Sequence, residues 1–350
     1  MWHGILGHDE MVEQFRRTLK SGRLASTYLF VGPEGVGKKR FALQLAKGLL
    51  CQRARGEGFE ACGECESCHL FAAGNHPDLH VVGLLPDKSE LAISQFLGDK
   101  DHRHDAGLCH DISLKPFFGR RRIAIIDDAD HFNPSSANCL LKTLEEPPAH
   151  SLLILIGTSP SRQLPTIRSR SQMVRFSPLA AETVAKILLD NQLVSDPAEA
   201  ARLAQLSEGS VEQAVRLADP SLGEFRTLLL SQLTSASPDG VRLTRAVQAF
   251  VDEAGKEPAQ KRERLRGVIG FAIEHYRTRL PGRENLQNAR FLMDDGASPK
   301  PENTSVLAQS FNAVNILDTC LVALEQLERN ANLGLIVQNW CENLADLADR

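Results

Sequence analysis

The sequence predicts an α/β domain built on a parallel sheet with helices on both faces, followed by two helical regions. Three observations carry this. Five apolar runs of strand length alternate with helical stretches up to residue 176, a glycine-rich loop follows the first run, and past residue 220 helical spacing recurs without further strands. Near-continuous apolar strands separated by helices mark a sheet buried on both faces.

The runs are TYLFVG (27–32), LHVVG (79–83), RIAIIDD (122–128), SLLILIGT (151–158) and MVRF (173–176). Helical spacing follows the loop in KKRFALQLAKGLL, where Phe41, Leu43, Leu45 and Leu49 recur. It returns in SSANCLLKTLEE, which Pro147 and Pro148 end. A short region, 177–220, holds AAETVAKILLDNQL, PAEAARLAQLSEG and SVEQAVRLAD, with Gly209 as a helix stop and Ser210 as the next N-cap. The remainder, 221–350, is helical, and its polar stretches at 234–240 and 294–305 predict loops. Its last segment, 315–347, is strongly periodic and suits partner helices or an intramolecular bundle equally. Three domains are expected: 1–176, 177–220 and 221–350.

At 350 residues the chain is too long for one ordinary domain, and with 42% hydrophobic residues it can bury substantial cores. Its mean hydropathy is -0.21, and its apolar runs are far too short to span a bilayer. The first ten residues, MWHGILGHDE, lack the apolar stretch of a secretory signal. A cytoplasmic protein without membrane contact is expected. A net charge of -4 excludes the whole chain as an obvious polyanion binder, so any nucleic-acid role needs a local patch or a partner.

Eight cysteines are unevenly placed. Cys51, Cys62, Cys65 and Cys68 form C-x10-C-x2-C-x2-C, whereas Cys109, Cys139, Cys320 and Cys341 are scattered and read as core or surface bystanders. Without a signal peptide, clustered thiols point to metal rather than disulfides. Four thiolates close a tetrahedral shell, the donor set of structural Zn2+. An iron–sulfur cluster or a redox pair is the alternative, with nothing nearby that speaks for electron transfer. His69 abuts the last cysteine but is not needed once four thiols are available.

GPEGVGKK (32–39) lies between a strand and a helix, the context of a phosphate loop. Gly32, Gly35 and Gly37 let backbone N–H groups converge on phosphate oxygens beside a helix N-terminus. Lys38 then reaches the outer phosphates. The eighth residue of such a loop should be Ser or Thr, whose hydroxyl ligates magnesium, but here it is Lys39. The acidic pair that completes such a site lies in IAIIDDAD: Asp127 for a magnesium-bound water, Asp128 for the base. Asp128 is one methylene shorter than the usual Glu, and hydrolysis is sensitive to misplacement of about an ångström. Thr158, ending the next strand, suits a sensor of the terminal phosphate and, equally, a strand cap.

In order and spacing, RLASTYLFVGPEGVGKK, the four-cysteine module, NHPDLH (75–80), NCLLKTLEEPP and LPTIRSRS resemble the bacterial clamp-loader AAA+ family, well over residues 1 to about 220 and loosely beyond. The resemblance implies an AAA+ P-loop domain with a zinc module, a small helical lid and an all-α collar domain for oligomerisation. It further implies ATP sites between subunits, with the neighbour supplying an arginine from a serine–arginine–cysteine motif. Ser169-Arg170-Ser171 keeps that arginine, which would act in trans on charge spreading over a gamma phosphate. The family's second sensor is an arginine, and here Glu212 stands in its place, where a carboxylate repels a triphosphate.

Lys39, Asp128 and Glu212 together describe a degenerate nucleotide site, binding ATP or ADP weakly or not at all. The implied role is an ATPase-inactive stator of a DNA polymerase holoenzyme. Its implied partners are the gamma/tau motor and delta subunits, the beta sliding clamp and, through the complex, primed DNA. An active gamma/tau-like ATPase and a pure scaffold are the alternatives. GRRR (119–122) is a basic run that is either a contact or solvated. The segment 84–114, with His102, His104 and His110, reads as a polar insertion, with metal binding as the other option.

Overall fold

The computed structural model describes all residues except 1, 3, 55–58, 86–87, 100–104, 119, 236–237, 256, 278–300, 330 and 349–350, and, within helices, all side chains except those of 220, 259, 301–311 and 328. The chain divides into two compact units, Met1–Val215 and Arg216–Arg350.

All five apolar runs form strands of one parallel sheet in the first unit. They are β1 (Thr27–Val31), β2 (Leu79–Val82), β3 (Arg122–Ile126), β4 (Ser151–Gly157) and β5 (Gln172–Arg175), in the order β2-β3-β4-β1-β5. Alternate residues of β1 serve two separate cores. Tyr28 and Phe30 point into one, and Leu29 and Val31 into the other. That two-sided burial is why β1 and β4 read as unbroken apolar runs rather than alternating ones.

The first face is covered by α1 (Asp9–Lys20) and α2 (Lys38–Leu50). Phe15, Phe30, Phe41 and Phe176 pack there with ring centroids 5.1–5.9 Å apart. Such tilted and edge-on pairs add about 0.5–1.5 kcal/mol each beyond the area they bury. After the short α3 (Glu66–Ala72) and α4 (Ser94–Leu97), the opposite face is covered by α5 (Leu108–Ser113) and α6 (Pro134–Glu145). Ile112, Leu140 and Leu144 meet Ile126 and Leu155 there. The start of α6 is fixed by a capping box between Asn133 and Ser136, with Pro134 at the first position, worth about 1 kcal/mol. One turn, α7 (Pro165–Arg168), precedes β5.

Beyond the sheet come α8 (Ala181–Asp190), α9 (Pro197–Leu206) and α10 (Val211–Leu217). Gly209 turns the chain between α9 and α10 at φ +83°, a left-handed conformation that glycine adopts without a Cβ penalty.

The second unit holds α11 (Pro220–Leu233), α12 (Gly240–Asp252), α13 (Pro258–Arg277), α14 (Pro301–Glu328) and α15 (Leu333–Ala348). Leu229, Val247, Leu265, Val337, Trp340 and Leu344 form its core. The loop expected over 294–305 needs correction. Residues 301–305 already belong to α14, because Pro301 is tolerated at a helix start and the polar side chains after it do not oppose a first turn. Residues 294–300 lie outside the described residues. The periodic segment 315–347 turns Ile316, Cys320, Ile336 and Trp340 into this unit's own core. Among the described residues, no helix is long and apolar enough to cross a membrane.

Candidate functional site: a phosphate cleft and a four-cysteine centre

The loop between β1 and α2 takes the bent path its glycines allow. Gly35 and Gly37 have φ of +70° and +97°. At Gly32 an added Cβ would run into the Phe176 backbone, and at Gly35 into Ser210 Oγ and Glu212 Cβ. Lys38 opens α2 and folds back, its Nζ donating at 2.6 Å to the carbonyls of both Gly32 and Pro33. Burial pushes its amine below the usual lysine range, against the pull of Glu34 and Asp130. His8 Nε2 lies 2.7 Å from the Val36 carbonyl and braces the loop from the N-terminal side.

Lys39 goes elsewhere. Its ammonium pairs with Asp127 Oδ2 at 2.9 Å, so the carboxylate expected to hold a metal's water already faces a cation. Asp128 sits in the left-handed region at φ 54°. Its Oδ2 accepts from the Leu84 N–H at 3.1 Å, a structural bond that turns it toward the β2 end of the sheet. Sequence reasoning missed Asp130, the third acid of IAIIDDAD. Its Oδ2 accepts from the Thr158 N–H at 2.7 Å and its Oδ1 from buried Gln163. Asp130 thereby ties the end of β3 to the end of β4 and fixes Thr158.

These groups line one cleft of about 640 Å³. Gly35, Gly37, Lys38, Lys39, Asp127, Asp128 and Thr158 all contribute, and so does Glu212. Gly32, the first residue of the loop, is not among the lining residues. The start of α10 lies directly on the loop, since the Val211 N–H donates to the Gly35 carbonyl at 3.0 Å. Five carboxylates (Glu34, Asp127, Asp128, Asp130, Glu212) face three cationic side chains (Lys38, Lys39, Arg40).

Arg170 does not line this cleft. It is exposed just past α7, its Nη2 2.6 Å from Glu145 Oε1 and its Nη1 donating to Thr166 O and Ser169 Oγ. An exposed pair of this kind contributes at most about 1 kcal/mol.

The four cysteines do converge. Cys51 ends α2, Cys65 caps α3 and Cys68 lies in its first turn. All four Sγ atoms lie within 4.8 Å of one another, with Cys51 3.5 Å from Cys62 and 3.8 Å from Cys65. Four thiolates about 2.3 Å from a tetrahedral zinc would be about 3.8 Å apart, so the donor set fits that ion. Burial opposes ionisation at Cys65, but backbone N–H groups of Cys68 and Gln52 prevail and hold its thiol at about 6. His69 is exposed and outside the group.

NHPDLH is a structural latch behind this centre. His76 Nδ1 accepts from the Asp78 N–H at 3.1 Å, which leaves Nε2 to donate to Ser67 Oγ at 2.8 Å and Ser67 to donate to Leu50 O at 2.7 Å. The Asp78 carboxylate accepts from the N–H groups of Phe117 and Phe118 and faces Arg122. Of the basic run, Arg122 is thus spent on Asp78 and Lys115 O, and Arg120 donates to Gln52 O. His102 and His104 lie outside the described residues, and His110 faces Asp111.

The family described as "DNA polymerase III, delta subunit" matches residues 7–180. The Pseudomonas aeruginosa DNA polymerase III subunit delta' is 39% identical over 222 residues, covering 61% of this chain and 64% of that protein. Its Bacillus subtilis counterpart is 34% identical over 200 residues, covering 57% and 56%. The Salmonella typhimurium subunit tau is 30% identical over 260 residues, covering 72% and 38%. The matches therefore span less than two thirds of these relatives' own lengths.

Proposed function

We propose, from the premise that residues 7–180 of this chain belong to the DNA polymerase III delta-subunit family, that the protein is the delta-prime subunit of a clamp loader and acts as a stator. It holds an AAA+ domain, a helical lid and a collar domain, works in the cytoplasm, and joins gamma/tau and delta subunits in placing the beta clamp on primed DNA. Zinc on Cys51, Cys62, Cys65 and Cys68 is structural and takes no part in turnover.

One observation carries this reading: the ammonium of Lys39 sits on Asp127 at 2.9 Å. Magnesium-dependent phosphoryl transfer needs a hydroxyl and a carboxylate free for the metal. Here the hydroxyl is absent and the carboxylate is neutralised. Asp128, engaged with Leu84, does not stand ready as a base. Arg170 lies outside the cleft at an exposed position beside Glu145, where a neighbouring subunit's nucleotide can reach it.

The test is DNA- and clamp-stimulated ATP hydrolysis by a reconstituted loader carrying this chain intact or as Arg170→Ala, beside the chain alone. The chain alone should be inert, and the substitution should cost the complex about 10³-fold at the site it completes. Turnover by the chain alone would make it a gamma/tau-like motor. An unchanged complex would make Arg170 incidental.

A further inference from the structure

The cleft retains a loop shaped for phosphate and has lost its metal position, and its charges indicate what it accepts instead. From them we infer that Lys39 is the cleft's resident cation, so that it takes a nucleoside diphosphate without a divalent metal. This rests on the reading of the cleft as a phosphate site that no longer turns over.

The donors for phosphate are intact. Gly35 and Gly37 hold the loop in left-handed turns, and Gly37 caps α2, whose first residues, Lys38 and Lys39, line the cleft. The N–H groups of a helix's first turn and the helix dipole bind an anion without any metal. Lys38 spends two N–H groups on the Gly32 and Pro33 carbonyls, which leaves one of its three for a ligand. The remaining cationic side chains, Lys39 and Arg40, line the same cleft.

Magnesium has no comparable place. It demands oxygen ligands in near-octahedral order and retains several waters. The residue that would supply a hydroxyl is Lys39, and its ammonium holds the carboxylate of Asp127. A divalent ion there would have to displace a bound cation and then sit beside it. An ammonium at that position does part of the metal's work, because it offsets phosphate charge from the same side and needs no coordination shell.

The number of phosphates follows from the opposing charge. Five carboxylates line the cleft against three cationic side chains, and Glu212 lies over Gly35 on the lid. Every added phosphate brings negative charge toward that excess, and a metal cannot enter to mask it. The cleft therefore favours a diphosphate over a triphosphate. Ile5, Leu179, Ile187 and Val211 line it as well and offer apolar surface to a base.

The probe is fluorescent ADP titrated onto the full chain, in excess EDTA and again in excess magnesium chloride, with unlabelled ATP and pyrophosphate as competitors. The unsubstituted chain should bind ADP with affinities that agree within about twofold in the two buffers, and ADP should outcompete ATP in EDTA. Lys39→Thr should bind at least about tenfold more tightly with magnesium than without. Lys39→Met keeps the length of the side chain without its charge and should lose ADP binding in EDTA, with helical content by circular dichroism confirming the fold. Binding that requires magnesium, no binding in either buffer, or a Lys39→Met variant that binds normally would each overturn the inference. None of these outcomes touches the Arg170 experiment, which reads a neighbour's site.

Discussion

Asp78 is wholly buried, and its carboxylate is held by two backbone N–H groups at 2.6 and 3.0 Å, with the Arg122 guanidinium 3.7 Å away. Removing the carboxylate leaves those donors without an acceptor and a largely buried guanidinium without its counter-charge. Each orphaned donor costs about 1–3 kcal/mol. Asp78→Ala should therefore destabilise the first unit by about 3 kcal/mol, read as a lower urea midpoint at unchanged m-value. A variant within 0.5 kcal/mol, about the scale of ordinary surface changes, would mean that water replaces the carboxylate and that the motif is not a latch. Glu145→Ala should behave oppositely. Its pair with Arg170 is exposed, so stability should hold within about 0.5 kcal/mol. If Glu145 stores the arginine for a neighbour, loader turnover should change in that variant, and Arg170→Lys, which keeps charge but not the planar fork, should lose activity as Arg170→Ala does.

At the scale of elements, the strands and the main helices were legible because their signals are local. TYLFV and SLLILIG are unbroken apolar runs that only a sheet covered on both faces buries. The bent loop between β1 and α2 was legible because its glycines and lysine fall at fixed spacing between a strand and a helix. What was not legible is non-local. The latch from Asp78 to Phe117 and Phe118 spans about forty positions, and nothing in NHPDLH names the N–H donors that Asp78 accepts from. Three acids follow β3 in IAIIDDAD, and spacing does not say that a left-handed turn at Asp128 rotates it onto Leu84 while Asp130 reaches Thr158. The start of α14 was misread as loop because the polar first turn of a helix looks like one. The cysteine module lies between these cases, its spacing legible and its convergence tertiary. Cys65→Ser should release zinc, measured by atomic absorption against the unsubstituted chain. It should also lower the melting temperature of the first unit by about 6–12 °C if the site contributes about 3 kcal/mol. Undiminished zinc content would sink the assignment.

For the whole molecule, the decisive fact is that two compact units carry separate cores. One is built on the sheet around Phe30, Phe41 and Leu153, the other on helices around Val247, Trp340 and Leu344. Units with independent cores unfold as separate cooperative events unless a large apolar interface couples them. The four-cysteine centre belongs wholly to the first unit, and Trp340, whose indole N–H lies 3.4 Å from Cys320 Sγ, wholly to the second. Heating the full chain should therefore show two calorimetric transitions that respond to different perturbations. A strong chelator should lower one of them and leave the other in place, because metal bound only to folded thiolates stabilises only the unit that holds them. Trp340→Ala should do the reverse. Losing a buried indole costs about 3–5 kcal/mol, and tryptophan fluorescence from Trp2 would then report the surviving first unit alone. A single transition that moves under both perturbations would instead mean that the units unfold as one cooperative body.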